Sequence, residues 1–415
     1  MEPACQLDIA WVRQQFPALQ HNVGGRPAVF FDAPGGTQVP QRVIDAIANY
    51  LSTWNANTGG AFVTSRRTDQ LVADARAAMA DFFNCATDEV VFGANMTTLT
   101  FALSRAIGRE LKSGDELLVT CLDHDANVSP WVCLEERGVK VRTADVNPAD
   151  CTLDMFDLSA KIRRNTRLVA AGWAANAVGT INDVNEIVRL VHDAGAMAFI
   201  DAVHYAPHRP IDVRALDCDF LACSSYKFFG PHLGILYGKR EQLQRLRPYK
   251  LRACSEQLPD RWETGTQNYE CLAGLIAAID YIADVGRYHH PAAATRREAI
   301  LAAYELFHQH EHELMEQLIS GLLTIPGITF YGIKDRTKFA QRTPTVAIRM
   351  EGYTPRELAT RLGERGIFTW DGNYYAINLA ERLGLQDSGG MLRIGFAHYN
   401  TAEEVERLLT ELREK

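Results

Sequence analysis

The chain has 415 residues, 47% of them hydrophobic and 23% charged, with a formal net charge of −8. That is enough apolar material for a large core and more than one domain, with no low-complexity tract. A mildly acidic chain without a Lys/Arg run has no general attraction for nucleic acid or an anionic membrane, and no apolar stretch is long enough to span a bilayer. The opening MEPACQLDIAWVRQQF lacks the apolar centre of a signal peptide. The nine cysteines are an odd number without a CxxC pair, which fits reduced thiols in a cytoplasm better than zinc or a disulfide frame.

Along the chain, Val43, Ile47, Tyr50 and Trp54, then Leu71, Ala75, Ala78 and Phe82, recur at helical spacing. Between and after such helices lie short apolar runs at Glu89–Phe92, Leu117–Thr120, Val139–Ala144, Leu168–Gly172, Met197–Asp201, Phe220–Ser224 and Gly234–Tyr237. Most are apolar throughout, as strands covered on both faces are. The alternation predicts an α/β domain with a mostly parallel seven-stranded sheet over 30–287. After a break at Arg287–Pro291, a long helix is expected over Ala292–Leu323, then strands at Ile328–Gly332, Thr345–Met350 and Gly366–Thr369. Thr401 and Glu404 form a capping box for a last helix. Residues 288–415, with 1–29, read as a smaller α+β domain.

Several polar groups follow the strands. After Glu89–Phe92, Asn95, Met96, Thr97 and Thr98 open an apolar helix pattern, a place where free amides and the helix dipole favour a phosphate; plain threonine capping explains it equally well. His124 lies beyond the second strand, where it suits ring stacking or proton transfer. Asn176 follows the fourth strand as a possible donor to a phenolate oxygen, or simply as a turn residue. Asp201 closes the fifth, with His204 three residues on; its ordinary reading is a helix cap. Ser224, Ser225, Tyr226 and Lys227 close the sixth before Gly230-Pro231. Alone, Lys227 is one loop lysine among many. A lysine outside the carboxyl end of such a sheet is also where ligands bind, and its amine forms an imine with an aldehyde cofactor once neighbours lower its pKa.

Together these segments resemble the class V aminotransferase family, in its cysteine desulfurase-like branch, from Phe31-Asp-Ala-Pro34-Gly-Gly-Thr37 to Arg393. The pair Asp201-x-x-His204 and Ser224-x-x-Lys227 carries most of that likeness. It implies the fold-type I architecture and pyridoxal 5'-phosphate as cofactor. Lys227 would hold the cofactor and later move the proton at Cα, Asp201 would pair with the ring nitrogen, and His124 would stack on the ring. Asn176 and His204 would contact the phenolic oxygen. Thr97, Thr98 and Ser224 would hold the phosphate, with the Tyr226 hydroxyl standing in for a histidine of relatives. Thr266, in Trp262-Glu-Thr-Gly-Thr266, would reach the phosphate of a partner subunit, so a homodimer with the site at its interface is expected. Arg393 would clamp the substrate carboxylate, as a guanidinium fork suits.

The likeness departs at Trp370-Asp-Gly-Asn-Tyr374-Tyr375-Ala376, where desulfurases carry a nucleophilic cysteine. Tyr375 stands there, and all nine cysteines lie at or before Cys271. The expectation is an enzyme that acts on a small amino acid through an external aldimine and a Cα carbanion. Its chemistry would be cysteine desulfurase-like C–S lysis without a persulfide cysteine, with Tyr375 lining the substrate pocket or protonating the leaving group. Transamination or epimerisation shares the first carbanion. A non-catalytic binding protein with this fold would need no imine-forming lysine. A dinucleotide oxidoreductase is disfavoured because no G-x-G-x-x-G follows a strand.

Overall fold

The structure, a computed structural model, describes residues 6–414. Cys5 and the start of the segment read as lacking a signal peptide lie outside them. Seven strands build the main sheet: β1 Val90–Gly93, β2 Glu116–Thr120, β3 Lys140–Ala144, β4 Thr166–Gly172, β5 Met197–Asp201, β6 Phe220–Ser224 and β7 Gly234–Gly238. Their order is β1-β7-β6-β5-β4-β2-β3. All neighbouring pairs are parallel except those of β7, which is antiparallel to both β6 and β1. These are the seven runs expected from the sequence.

Their apolar composition has a direct cause, because alternate residues enter two different cores. Leu118, Val169, Ile200, Leu221 and Ile235 belong to one cluster, and Val119, Ala170, Phe199, Ala222 and Leu236 to the other. The carboxyl ends of β2, β4, β5 and β6 therefore emerge side by side with their loops free to carry polar groups.

The break expected at Arg287 comes later. The helix Tyr269–His289 runs through it, since Tyr281, Ile282 and Val285 still face the core and Arg287 and His289 suit a helix C-terminus. The next helix is Arg296–Leu322. Its first half, Ala299, Ala303 and Phe307, packs in the main cluster, and its second half, Leu314 and Leu318, in a separate one with Ile348, Leu392 and Leu408.

The smaller sheet is antiparallel, with β8 Ile328–Tyr331, β9 Thr345–Met350, β10 Trp370–Gly372 and β11 Met391–Gly395 in the order β8-β9-β11-β10. The single strand expected over Gly366–Thr369 is split. Ile367–Phe368 pairs in parallel with Val29–Phe30, and the chain then turns into β10. The helix Ile9–Gln14 sits at the junction: Val12 is in the main cluster, while Arg13 donates to the Tyr399 carbonyl at 2.7 Å and pairs with Glu404 at 2.8 Å. The last helix, Ala402–Arg413, carries the expected capping box of Thr401 and Glu404. No helix among the described residues is long and apolar enough to cross a membrane.

Candidate active site

A cavity of about 510 Å³ opens where the loops after β2, β4, β5 and β6 meet β10, β11 and the turn after β10. Lys227, Asp201, His124, Thr97, Asn176, His204, Ser224, Tyr226, Arg393 and Tyr375 all line it. Thr98 and Thr266 do not. Thr98 is turned to its own helix: its amide donates to Asn95 Oδ1 at 2.9 Å and its hydroxyl bonds the Asn95 main chain. Here capping wins over the phosphate role. Thr266 is exposed, away from this cavity.

Lys227 follows β6 in a short turn and is half-buried, with its amine in the cavity. Its Nζ donates to the carbonyls of Pro34 at 2.5 Å and Gly35 at 3.1 Å and lies 4.9 Å from the Tyr226 ring centroid. Burial, reinforced by Arg393 and partly offset by Asp201, brings its amine down to about 7. Asp201 ends β5, and its Oδ1 accepts from the Val203 amide at 2.8 Å. Burial pushes its carboxyl up to about 6, against that hydrogen bond and the charge of Lys227. The amine and the acid thus both titrate near neutrality in one cavity, as groups that exchange charge with a ligand do.

His124 accepts from the Ala126 amide through Nδ1 at 3.0 Å, which leaves the proton of the neutral ring on Nε2. Burial, then Lys227 and Arg393, hold it down to about 4, so the ring is neutral at pH 7. His204 is buried; its Nε2 lies 2.9 Å from the Thr345 hydroxyl and 3.2 Å from that of Thr343. Burial, followed by His208, holds it well below the usual histidine range. Its ring is therefore fixed by the segment leading into β9.

The helix Met96–Gly108 points its N-terminus at the cavity. The Met96 amide donates to Ser224 Oγ at 3.0 Å, which places Thr97 and Ser224 together at the positive end of the helix. Of the two threonines, Thr97 lines the cavity and Thr98 does not.

Arg393 comes from the centre of the small sheet. Its Nη1 donates to the Asn176 carbonyl at 2.9 Å, its guanidinium carbon lies 4.3 Å from the Tyr374 ring centroid, and its Nε is buried without a partner. Burial lowers its pKa to about 10, leaving it charged at neutral pH. The Tyr374 hydroxyl donates to the Met391 carbonyl. Tyr374 and Tyr375 both adopt left-handed backbone, at φ 55° and 60°, unusual for large side chains. Two anchors hold them there: the Asp125 amide donates to the Tyr375 carbonyl at 2.7 Å, and Asn176 Nδ2 donates to the Tyr374 carbonyl at 2.8 Å. The Tyr375 ring lies 5.4 Å from that of His124 and is 67% exposed.

Sequence reading missed Asp123, Trp370 and the carbonyls of Pro34 and Gly35, which also belong to this cavity. Asp123 precedes His124 in a polar stretch that looks like any loop. Main-chain acceptors leave no trace in side-chain types.

The residues fit pyridoxal phosphate. An amine that titrates near neutrality, a carboxylate and a helix N-terminus converge on one cavity, which is the set of groups that an aldehyde cofactor with a ring nitrogen and a phosphate needs. The fold and this site define a fold-type I pyridoxal-phosphate-dependent enzyme.

Residues 29–408 match the family described as aminotransferase class-V, and the chain belongs to that family. It is 34% identical to a cysteine desulfurase of Synechococcus elongatus over 99% of its own length, spanning 64% of that enzyme. It is 34% identical to the aminotransferase-like protein FGM3 of Gibberella zeae, covering 97% of this chain and 96% of that one. The structure of a cysteine desulfurase from Thermococcus onnurineus superposes with a TM-score of 0.87 at 25% identity, over 99% of this chain and 98% of the other.

Proposed function

We propose that the enzyme cleaves a C–S bond at Cβ of a small amino acid, cysteine or cystine, and releases the sulfur without first storing it on a cysteine of its own. The observation that carries this reading is the lining of the cavity: it contains Lys227, Arg393 and Tyr375 but no cysteine, and the sequence resemblance matches Tyr375 to the position of the desulfurase thiol. The free cysteines closest in sequence to the site, Cys121 and Cys223, are buried, and burial raises both thiols, the opposite of what a nucleophilic thiolate needs.

In this reading Arg393 grips the substrate carboxylate through its unpaired edge. Lys227, uncharged once its proton is lost near neutral pH, takes the proton from Cα. Bound pyridoxal phosphate supplies the carbonyl that the amine condenses with and the ring that absorbs charge from Cα. Asp201 would hold the ring nitrogen protonated, Thr97 and Ser224 at the helix N-terminus would hold the phosphate, and Tyr226 would close that side. Asn176 and His204 would face the phenolic oxygen, and His124 would cover the ring. Tyr375 lines the side-chain end, while Tyr374, its hydroxyl committed to Met391, positions Arg393. Thr266 of a second copy completes the phosphate site in a homodimer. Its reduced cysteines support a cytoplasmic location.

The test is a panel of L-cysteine, L-cystine, L-alanine and aromatic amino acids given to the holoenzyme, scored for sulfide or persulfide, pyruvate and keto acid. Pyruvate formed with released sulfur, unaffected by iodoacetamide, is the expected result. Sulfur retained as a protein persulfide, or keto acid from alanine with no pyruvate from cysteine or cystine, contradicts it. Transamination, the alternative, is what the second outcome would support.

A further inference from the structure

Three acids line the cavity. Asp201 serves the ring nitrogen and Asp371 pairs with Arg356 at 3.0 Å. Asp123 has no cation within ion-pair distance among the described residues, and the chemistry above leaves it unused. It is 3% exposed. Both its oxygens are held by main chain: Oδ1 accepts from the Gly172 amide at 2.5 Å and Oδ2 from the Thr120 amide at 3.1 Å. Gly172 is the register partner of Asp201 across β4 and β5. The Asp123 carboxylate therefore reaches over the end of β4 toward Asp201. Space is tight there, since a Cβ on Gly172 would lie 2.7 Å from Asp123 Oδ1.

Two amide donors favour the ionised form of Asp123. Burial and the charge of Asp201 oppose it and push the carboxyl up to about 7. Of the other ionisable groups in the cavity, His124 is neutral and Lys227 loses its charge near neutrality, while Arg393 stays charged but is held at the Asn176 carbonyl and the Tyr374 ring. Two carboxylates one strand apart in a low-dielectric site repel unless a cation joins them.

We propose that Asp123 is a positioning residue that acts through Asp201. The two acids form a charge pair that is completed by the protonated ring nitrogen of pyridoxal phosphate, and Asp123 raises the proton affinity of that nitrogen. The inference rests on the cofactor site alone and holds whichever bond the substrate loses.

The ring nitrogen reports on this directly. The enzyme is loaded with cofactor ¹⁵N-labelled at the pyridine nitrogen, and its chemical shift is followed with pH in wild type, Asp123→Asn and Gly172→Ala. Asp123→Asn should lose the ring proton about one pH unit lower and bind cofactor about tenfold more weakly, one unit being a tenfold change in proton affinity. Gly172→Ala keeps the acid but displaces it, and should shift the midpoint the same way by less. A purely structural Asp123 would lower the melting temperature and leave the midpoint in place, and that result overturns the proposal. Should Asp123→Asn not fold, an unshifted midpoint in Gly172→Ala overturns it equally.

Discussion

The main-chain carbonyl of Asn176 takes the Arg393 Nη1 at 2.9 Å, while its side-chain amide donates to the Tyr374 carbonyl at 2.8 Å. One residue of the loop after β4 thereby fixes both the arginine and the neighbouring tyrosine, across the junction with the small sheet. Asn176→Ala keeps the carbonyl and loses the amide. The expected outcome is a KM raised several-fold, about 1 kcal/mol for one hydrogen bond, with kcat largely retained. Steady-state kinetics checks it; a lowered kcat at unchanged KM would place the amide on the reacting atoms instead.

On the proposed reading, replacing Arg393 itself removes the guanidinium that grips the substrate carboxylate. A hydrogen bond to a charged group contributes roughly 1.5–3 kcal/mol, so Arg393→Ala should raise KM by about 10- to 100-fold. Arg393→Lys should recover little, because a point charge cannot replace the fork or its stacking on Tyr374. Comparing the amino acid with its carboxamide gives the check: wild type should discriminate strongly and the variants weakly.

Lys227 sets a stability cost that depends on pH. Its folded pKa of about 7 lies below the unfolded value near 10.4. In the window between them the unfolded state binds more protons, so stability rises with pH from about 7 to about 10.4. Lys227→Met lacks this dependence. The apo variant should therefore melt higher than wild-type apoenzyme at pH 7, and the gap should narrow by pH 9.5. A gap that widens with pH would mean that the buried amine does not carry its charge as described.

Tyr375 has an exposed ring beside His124, whereas the Tyr374 hydroxyl is bonded inside. If Tyr375 only shapes the pocket, Tyr375→Phe should leave kcat within about twofold, a change of under about 0.5 kcal/mol, and Tyr375→Ala should relax side-chain selectivity. A large loss in Tyr375→Phe alone would make its hydroxyl the proton donor to the leaving group.

Much of this was legible in the sequence because the sheet is buried on both sides. Phe199 and Ile200 must face opposite cores, so the strand cannot alternate and stands out as an apolar run. Asp201, Lys227 and Arg393 were legible as polar groups ending or interrupting such runs. Thr98 misled because a capping threonine and a phosphate-binding one look alike until the helix N-terminus is placed. The Pro34 and Gly35 acceptors, the hold of Thr343 and Thr345 on His204, and the Asp123 link to Gly172 arise from chain segments brought together only by folding. The split at Phe368 likewise depends on Val29–Phe30, more than 300 residues away in the chain.

On the proposed reading, Lys227 carries the cofactor. Borohydride reduction of the purified holoenzyme, followed by peptide mass mapping, tests it most directly. One pyridoxyl-phosphate group on the peptide containing Ser224–Gly230 is the predicted result, absent from Lys227→Ala. A protein that takes up no cofactor, or a group fixed to another lysine, would contradict it.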